Sequence, residues 1–210
     1  MTGGLLDYLQ TDPAAFFMLA AALVGALGLH EYAHALAADL QGDRLPRAMG
    51  RLTPNPVRHL DPLGTICILI AGFGWAKPVE FRPQALSSKR FGAAIVALAG
   101  PMMNLLLAAV GGFGFVLFYD GGAPSQLAIF FYLFTGINVL LAVFNLVPLP
   151  PLDGSRLLTI FLPHDKQRII FFLDRYGFVI LLALVLFGAT RILDPVVQGI
   201  RDFLIELAGG

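Results

Sequence analysis

The chain alternates between long apolar runs and short polar loops, and four of the runs are long enough to cross a membrane. A transmembrane helix needs about 20 largely apolar residues. The four candidate spans cover residues 14–38, 91–119, 127–148 and 169–189. The first run is interrupted only by His30, Glu31 and His34. The pattern predicts an all-α polytopic membrane protein with about four transmembrane helices, forming a single domain.

A fifth apolar stretch, residues 63–76, differs from these spans. It has about 14 residues and contains Gly64, Gly72 and Gly74, which makes it short for a spanning helix. Such a segment is typical of a re-entrant element, whose backbone is tolerated at membrane depth where protein or water satisfies it. The sequences around Gly50–Thr53 and Pro78–Arg82 are also compatible with short strands at the membrane surface.

Composition supports a bilayer environment. Hydrophobic residues make up 57% of the 210 residues and charged residues only 13%, whereas soluble domains carry roughly 25% charged residues. The net charge is zero, so the sequence does not suggest a nucleic-acid partner. The first basic residue is Arg44, so no cleavable signal peptide is expected and the first apolar run should remain as a span.

The basic residues distinguish between possible topologies, because cytoplasmic loops carry an excess of Lys and Arg. If residues 63–76 do not cross the membrane, eleven of the fourteen basic residues lie on one side. They are Arg44, Arg47, Arg51, Arg58, Lys77, Arg82, Lys89, Arg90, Arg156, Lys166 and Arg168. This favours four spans with a re-entrant segment and both termini outside. We expect the location to be a bacterial-type plasma (inner) membrane.

The polar interruption of span one reads His30-Glu-Tyr-Ala-His34. Residues i and i+4 share a helix face, so the two imidazoles can bind one metal ion. Zinc is the usual partner, and a catalytic zinc takes three protein ligands and keeps a fourth position open. Glu31 lies beside them and can act as general base. The alternatives are a polar packing cluster or an ion pathway, but intramembrane ionisable residues cost about 2.5–3.5 kcal/mol each and are functional by default.

The third ligand is expected from the segment after span three, which reads Asn145-Leu-Val-Pro-Leu-Pro-Pro-Leu-Asp153-Gly154. Its prolines prevent a regular helix, so Asp153 should lie just beyond the inner end of that span. His30 follows the start of span one by 16 residues, about 24 Å along a helix, and is therefore also near the inner face. Both segments bring ligands to a similar depth, although an Asp-Gly pair is also ordinary in turns.

Together these motifs resemble the site-2 protease family of intramembrane zinc metalloproteases. The resemblance is carried by His30-Glu-x-x-His34, by Asn145-x-x-Pro-x-Pro-x-x-Asp153-Gly and by Ala99-Gly-Pro-Met-Met-Asn104 in span two. It extends from about residue 25 to residue 154 and implies a minimal core, without the PDZ or CBS domain that many relatives carry.

The resemblance also implies roles for individual residues. It assigns one Zn²⁺ per chain to His30, His34 and Asp153, makes Glu31 the catalytic base, and places the site toward the cytosol. It further implies that Asn104 and Asn145 lie near the site, where they polarise the scissile carbonyl or orient substrate.

Other polar residues have simpler interpretations. Asn104, Asn138 and Asn145 can also serve as hydrogen-bonding contacts between helices, and this is the favoured interpretation for Asn138. His59 and His164 fall in predicted cytoplasmic loops, where solvated side chains are expected. His59 is also a weak candidate for the rim of the site, because it lies near the re-entrant segment.

The expected function is intramembrane endopeptidase activity of the kind used in regulated intramembrane proteolysis. Its partners would be the lipid bilayer and a transmembrane protein substrate, which is cleaved in or near its membrane helix. The alternative is a metal transporter or sensor that uses the same His/His/Asp site. An inactive relative serving as a scaffold is disfavoured, because it would not need Glu31. The sequence predicts neither the identity of the substrate nor the oligomeric state.

Overall fold

The computed structural model describes residues 5–71, 74–161 and 167–210, and most of these residues are in helices. The α-helices are α1 (Leu5–Thr11), α2 (Pro13–Leu40), α3 (Leu45–Ala48), α4 (Pro62–Ala71), α5 (Lys89–Phe118), α6 (Gln126–Asn145), α7 (Gly154–Phe161), α8 (Gln167–Leu186) and α9 (Asp194–Leu207). Short 3-10 turns occupy Pro56–Arg58, Pro83–Ala85 and Ala189–Leu193. The predicted all-α fold class is confirmed.

The centre of the molecule is a bundle of α2, α5 and α6, which contact one another in every pairing. Each is long and apolar enough to cross a membrane. At 1.5 Å per residue, the 28 residues of α2 and the 30 of α5 extend for about 42 Å and about 45 Å. These helices correspond to the first three predicted spans, and the chain is an integral membrane protein.

The predicted fourth span, residues 169–189, corresponds to helix α8. The fourth membrane-crossing candidate in the structure is a bent pair, Phe171–Leu186 with Arg191–Leu207, whose two parts meet at 74°. The sequence did not predict α9, because its polar residues interrupt the apolar pattern. Helix α9 packs on α5 and α6, and the absence of a side chain at Gly112 leaves room for the backbone of Leu204.

Local sequence signals explain where the long helices begin and end. Asp12 precedes α2, and its carboxylate accepts a hydrogen bond from the Ala15 N–H at 3.1 Å, while Pro13 occupies the first turn. Ser125 caps α6 in the same way through the Ala128 N–H at 3.1 Å. Helix α6 ends at Asn145, three residues before the end predicted for span three, because Pro148 disfavours helical backbone before it.

Small residues bring α5 and α6 into close contact. A methyl group at Gly114 would overlap the ring of Phe131, and one at Gly111 would overlap the hydroxyl of Thr135. Glycines at such positions let two membrane helices approach closely, which van der Waals packing in lipid requires. This contact fixes α6 against α5 and so determines where the segment after α6 emerges.

Buried carboxylates organise the loop that follows α2. Asp39 binds the guanidinium groups of Arg44 and Arg47, with nitrogen–oxygen distances of 2.8 and 2.7 Å. Asp43 has no exposed surface and accepts hydrogen bonds from the backbone and side chain of Arg82. Burial raises the pKa of Asp43, but the hydrogen bonds and charge of Arg82 outweigh it and hold the pKa below its usual value. The Asp43–Arg82 pair joins this loop to the segment before α5.

The two ends of the predicted re-entrant segment lie side by side. Helix α4 occupies Pro62–Ala71, and an isolated antiparallel bridge joins Leu60 on one side of it to Ala76 on the other. The Lys77 N–H donates to the His59 carbonyl at 2.8 Å. The chain therefore enters and leaves the segment that contains α4 at adjacent positions.

Neither segment considered as a short strand, Gly50–Thr53 or Pro78–Arg82, is a strand in the part of the chain that the structure describes. Their backbone groups bond elsewhere. The Pro78 carbonyl accepts from the Arg51 guanidinium, the Val79 N–H donates to Glu31, and the Arg82 N–H donates to Asp43. In Pro78–Arg82, side chains therefore replace the partner strand that a β-ladder would need.

Candidate metal centre

Helix α2 buries three polar side chains at one level. His30, Glu31 and His34 are only 4%, 8% and 6% exposed. The two histidines are four residues apart, so their rings lie one above the other on the same helix face, with centroids 4.6 Å apart. The His30 Nε2 and His34 Nε2 atoms are 3.0 Å apart. The sequence therefore places two imidazole nitrogens together inside the bundle.

Asp153 reaches this pair from the segment after α6. The chain turns through residues 146–153, with backbone hydrogen bonds from Leu149 to Val147 and from Leu152 to Leu149. This turn brings Asp153 Oδ2 to 3.1 Å from His30 Nε2 and 3.2 Å from His34 Nε2. The expected His/His/Asp cluster is thus present, with its ligand atoms all within 4.8 Å of one another.

The donor set fits a zinc ion. Each histidine uses Nδ1–H as a hydrogen-bond donor elsewhere, so a neutral ring directs the lone pair of Nε2 toward the cluster. Two lone pairs and a carboxylate oxygen, separated by 3.0–3.2 Å, repel one another unless a cation lies between them. Tetrahedral zinc, with bonds of about 2.0–2.1 Å, requires ligand separations of about 3.3 Å. The three observed separations, 3.0, 3.1 and 3.2 Å, are slightly shorter than this value, so a small outward movement of the side chains would admit the ion.

Partners on α5 fix the orientation of both imidazoles. The His30 Nδ1–H donates to Asn104 Oδ1 at 2.5 Å, and the His34 Nδ1–H donates to the Val96 carbonyl at 2.7 Å. Such contacts set the tautomer and ring orientation of metal-binding histidines. Both partners lie on the same face of α5, eight residues apart, and that face points at α2.

Asn104 is itself held by a second asparagine. Its amide Nδ2 donates to Asn138 Oδ1 at 2.9 Å, and the Asn138 amide donates to the Phe134 carbonyl at 2.9 Å. Asn104 and Asn138 have no exposed surface. The helix-to-helix contact favoured for Asn138 is therefore present, and it continues to the metal centre through Asn104 and His30.

Gly100 lies midway between Val96 and Asn104 on the same α5 face. A methyl group at this position would overlap ring atoms of both His30 and His34. Only a residue without a side chain allows α5 to come this close to the two imidazoles. Sequence reasoning missed this role, although the Gly-Pro pair inside an apolar span was a signal for it.

The Glu31 carboxylate lies beside the ligand cluster on α2 and has a partner outside the helix. The Val79 N–H donates to Glu31 Oε2 at 3.1 Å. A backbone donor restrains the direction of the carboxylate while leaving its charge in place. The segment around Val79 therefore forms one wall beside the expected catalytic base.

Two of the remaining candidates, Asn145 and His59, make their hydrogen bonds away from the ligand cluster. The Asn145 amide donates back to the Leu141 carbonyl of its own helix at 2.9 Å. His59 is not the solvated loop residue expected from the sequence. It is fully buried, and its ring donates to the Thr53 carbonyl at 2.8 Å. His164 lies outside the described residues.

A bundle of apolar helices with three converging ligands and an adjacent carboxylate is the arrangement that a membrane metallopeptidase requires. Comparison with known proteins gives the family. The family model described as Peptidase family M50 matches residues 18–121 and 114–186, so the chain belongs to that family. It is a zinc metallopeptidase, as the sequence predicted.

Individual relatives support the assignment over almost the whole chain. A Bacillus subtilis protein named "Putative zinc metalloprotease YwhC" is 38% identical over 192 residues, which are 88% of each chain. Proteins named Rip2, with the same description, are 33% identical in Mycobacterium tuberculosis and 29% identical in Mycolicibacterium smegmatis. These two alignments cover 92% and 90% of this chain and 75% and 77% of the relatives. No solved structure matches the chain at a significant level.

Proposed function

We propose that this metallopeptidase is an intramembrane endopeptidase that hydrolyses a peptide bond in or near the transmembrane helix of a substrate protein. The observation that carries the proposal is the location of the site. His30, Glu31 and His34 are buried within α2, a helix long and apolar enough to cross the bilayer. A site inside a membrane helix is suited to a substrate that also lies in the membrane.

The residues divide the chemistry between them. His30, His34 and Asp153 would hold the ion, and zinc, when bound, supplies a Lewis acid that polarises a carbonyl and acidifies water. Glu31 accepts a proton from the attacking water as general base. It then returns the proton to the leaving nitrogen as general acid. The Val79 N–H keeps the carboxylate in place for both transfers.

The position of Asn104 supports a different role from the one implied by the resemblance. Both ends of its amide are occupied, by His30 and by Asn138, and it has no exposed surface. We therefore propose that Asn104 is a positioning residue for His30. Asn145 is half-buried near the start of the Asp153 segment, and we retain it as the candidate that contacts substrate.

This role for Asn104 predicts a change in zinc affinity. Asn104→Leu should weaken zinc binding by about 10–100-fold, because His30 loses the partner that fixes its tautomer and orientation. Thr135→Val is the matched control, because Thr135 is also buried and polar but its hydroxyl donates within α6, to the Phe131 carbonyl. Competition with a calibrated chelator measures both affinities. An Asn104→Leu protein with normal zinc affinity and a reduced kcat would instead favour a role at the scissile carbonyl.

The proposed topology places the site toward the cytoplasm of a bacterial-type plasma membrane, with both termini outside. Two observations support it. Eleven of the fourteen basic residues share one side if residues 63–76 form a re-entrant segment. The adjacent ends of that segment, joined by the Leu60–Ala76 bridge, are what a re-entrant path requires.

Metal removal tests the proposed function directly. The purified chain, in detergent with a model transmembrane substrate, should cleave that substrate within or beside its apolar segment. Treatment with phenanthroline should abolish cleavage, and added Zn²⁺ should restore it, because the ion that His30, His34 and Asp153 would hold supplies the Lewis acid. Mass spectrometry of the products locates the cut. Cleavage that persists after complete zinc removal, or that occurs only in soluble loops far from the apolar segment, would contradict the proposal.

A further inference from the structure

The wall beside Glu31 is a short stretch of irregular backbone, Lys77–Val79. It touches the carboxylate through a single hydrogen bond, from the Val79 N–H to Glu31 Oε2 at 3.1 Å. A hydrogen bond from a loop fixes the direction of a carboxylate only if the loop itself is fixed. What fixes this stretch therefore matters for the chemistry at Glu31.

A buried arginine binds the same stretch. The Arg51 guanidinium donates to the carbonyls of Lys77 and Pro78, the latter at 3.2 Å, and also to the carbonyl of Arg58. Arg51 is only 4% exposed. These bonds hold the Lys77–Val79 backbone against the loop after α2, within one residue of the N–H that contacts Glu31.

Arg51 also interacts electrostatically with Glu31. Burial lowers the pKa of the Arg51 guanidinium, while the negative charges of Glu31 and Glu80 oppose that shift. An arginine remains charged in proteins even so. A buried charge is a weak means of stabilising a fold, because its desolvation offsets most of its attraction. A residue of this kind beside a catalytic carboxylate is better explained by its effect on the site.

We propose that Arg51 is a positioning residue whose guanidinium fixes the Lys77–Val79 backbone so that Val79 orients the Glu31 carboxylate for proton transfer. This inference rests on the proposed function, in which Glu31 is the base. Arginine suits the role because its planar fork can reach carbonyls on two separate segments at once. A lysine ammonium is a single point charge and cannot span the same acceptors.

The test compares Arg51→Lys and Arg51→Gln with the wild-type protein and with Arg58→Gln. Arg58 belongs to the same loop, but its side chain is exposed and only its backbone carbonyl contacts Arg51. Each full-length, zinc-loaded protein is assayed in detergent with the model transmembrane substrate. Zinc content and thermal unfolding are recorded on the same samples.

We expect kcat to fall by about 10–100-fold in Arg51→Gln and by at least about fivefold in Arg51→Lys, because Glu31 loses its fixed direction. KM should stay within about twofold and zinc content should be unchanged, since Arg51 contacts neither the ligands nor the space between them. Arg58→Gln should behave as wild type. A purely structural role would instead lower the unfolding temperature and the zinc content together with kcat.

Several outcomes would overturn the inference. A wild-type kcat in either Arg51 variant would show that the segment does not need the guanidinium. A kcat above wild type would show that the segment covers the base instead of orienting it. If Arg51→Gln does not fold, Arg51→Lys decides the question by the same criteria. Failure of the proposed function itself is recognised separately, because wild-type cleavage would then be absent or insensitive to chelator, and the inference would fall with it.

Discussion

Replacement of Glu31 by Gln is expected to lower kcat for substrate cleavage by about 10³-fold while zinc remains bound. The amide has the same shape as the carboxylate and can still accept the hydrogen bond from the Val79 N–H. It cannot accept the proton of the attacking water, so general-base catalysis is lost. The three ligand side chains are untouched, so elemental analysis should still find about one zinc per chain.

His34→Ala is the informative control for this experiment. It removes a ligand, so zinc content and cleavage should fall together, whereas Glu31→Gln separates them. Wild-type cleavage by Glu31→Gln would place the base elsewhere, and loss of zinc would make Glu31 a ligand. The variant also discriminates against metal transport, which would depend on the ligands and continue without the base.

The metal site was accessible to sequence reasoning because its ligands obey short-range rules. The spacing of His30 and His34 is a property of any α-helix, and Asp153 follows prolines that must end span three. The depth of both segments followed from helix rise and from the positions of basic residues. The three ligand atoms meet within 4.8 Å, as that argument required.

The residues that orient the ligands and Glu31 were harder to predict, because their contacts depend on which faces of sequence-distant helices meet. No sequence pattern predicts that Asn104 accepts a hydrogen bond from the His30 Nδ1–H. None predicts that the Arg51 guanidinium binds the backbone of the Lys77–Val79 segment. His59 was misjudged for the same reason, since loop composition indicates a solvated side chain while the folded chain buries it fully. Helix α9 escaped notice because its polar residues interrupt the apolar run, although Val197, Ile200 and Leu204 recur at helical spacing.

Gly100→Ala is expected to weaken zinc binding by at least about 100-fold and to lower cleavage correspondingly. The added methyl group would overlap ring atoms of both His30 and His34. The rings cannot simply turn aside, because their Nδ1–H groups are bound to Asn104 and Val96, one turn on either side of Gly100 on α5. Moving α5 away instead would withdraw both of these partners together. Either response disturbs two ligands at once.

Gly25→Ala is the matched control, because this glycine is also in a membrane helix and an added methyl group there has no neighbour within 4 Å. It should leave zinc affinity unchanged and stabilise α2 by up to about 1 kcal/mol, since Ala has the higher helix propensity. Chelator competition and thermal unfolding measured on both variants separate the two effects. Wild-type zinc affinity in Gly100→Ala would mean that α5 does not approach the imidazoles so closely, and the contacts of His30 and His34 with α5 would then need to be reassigned.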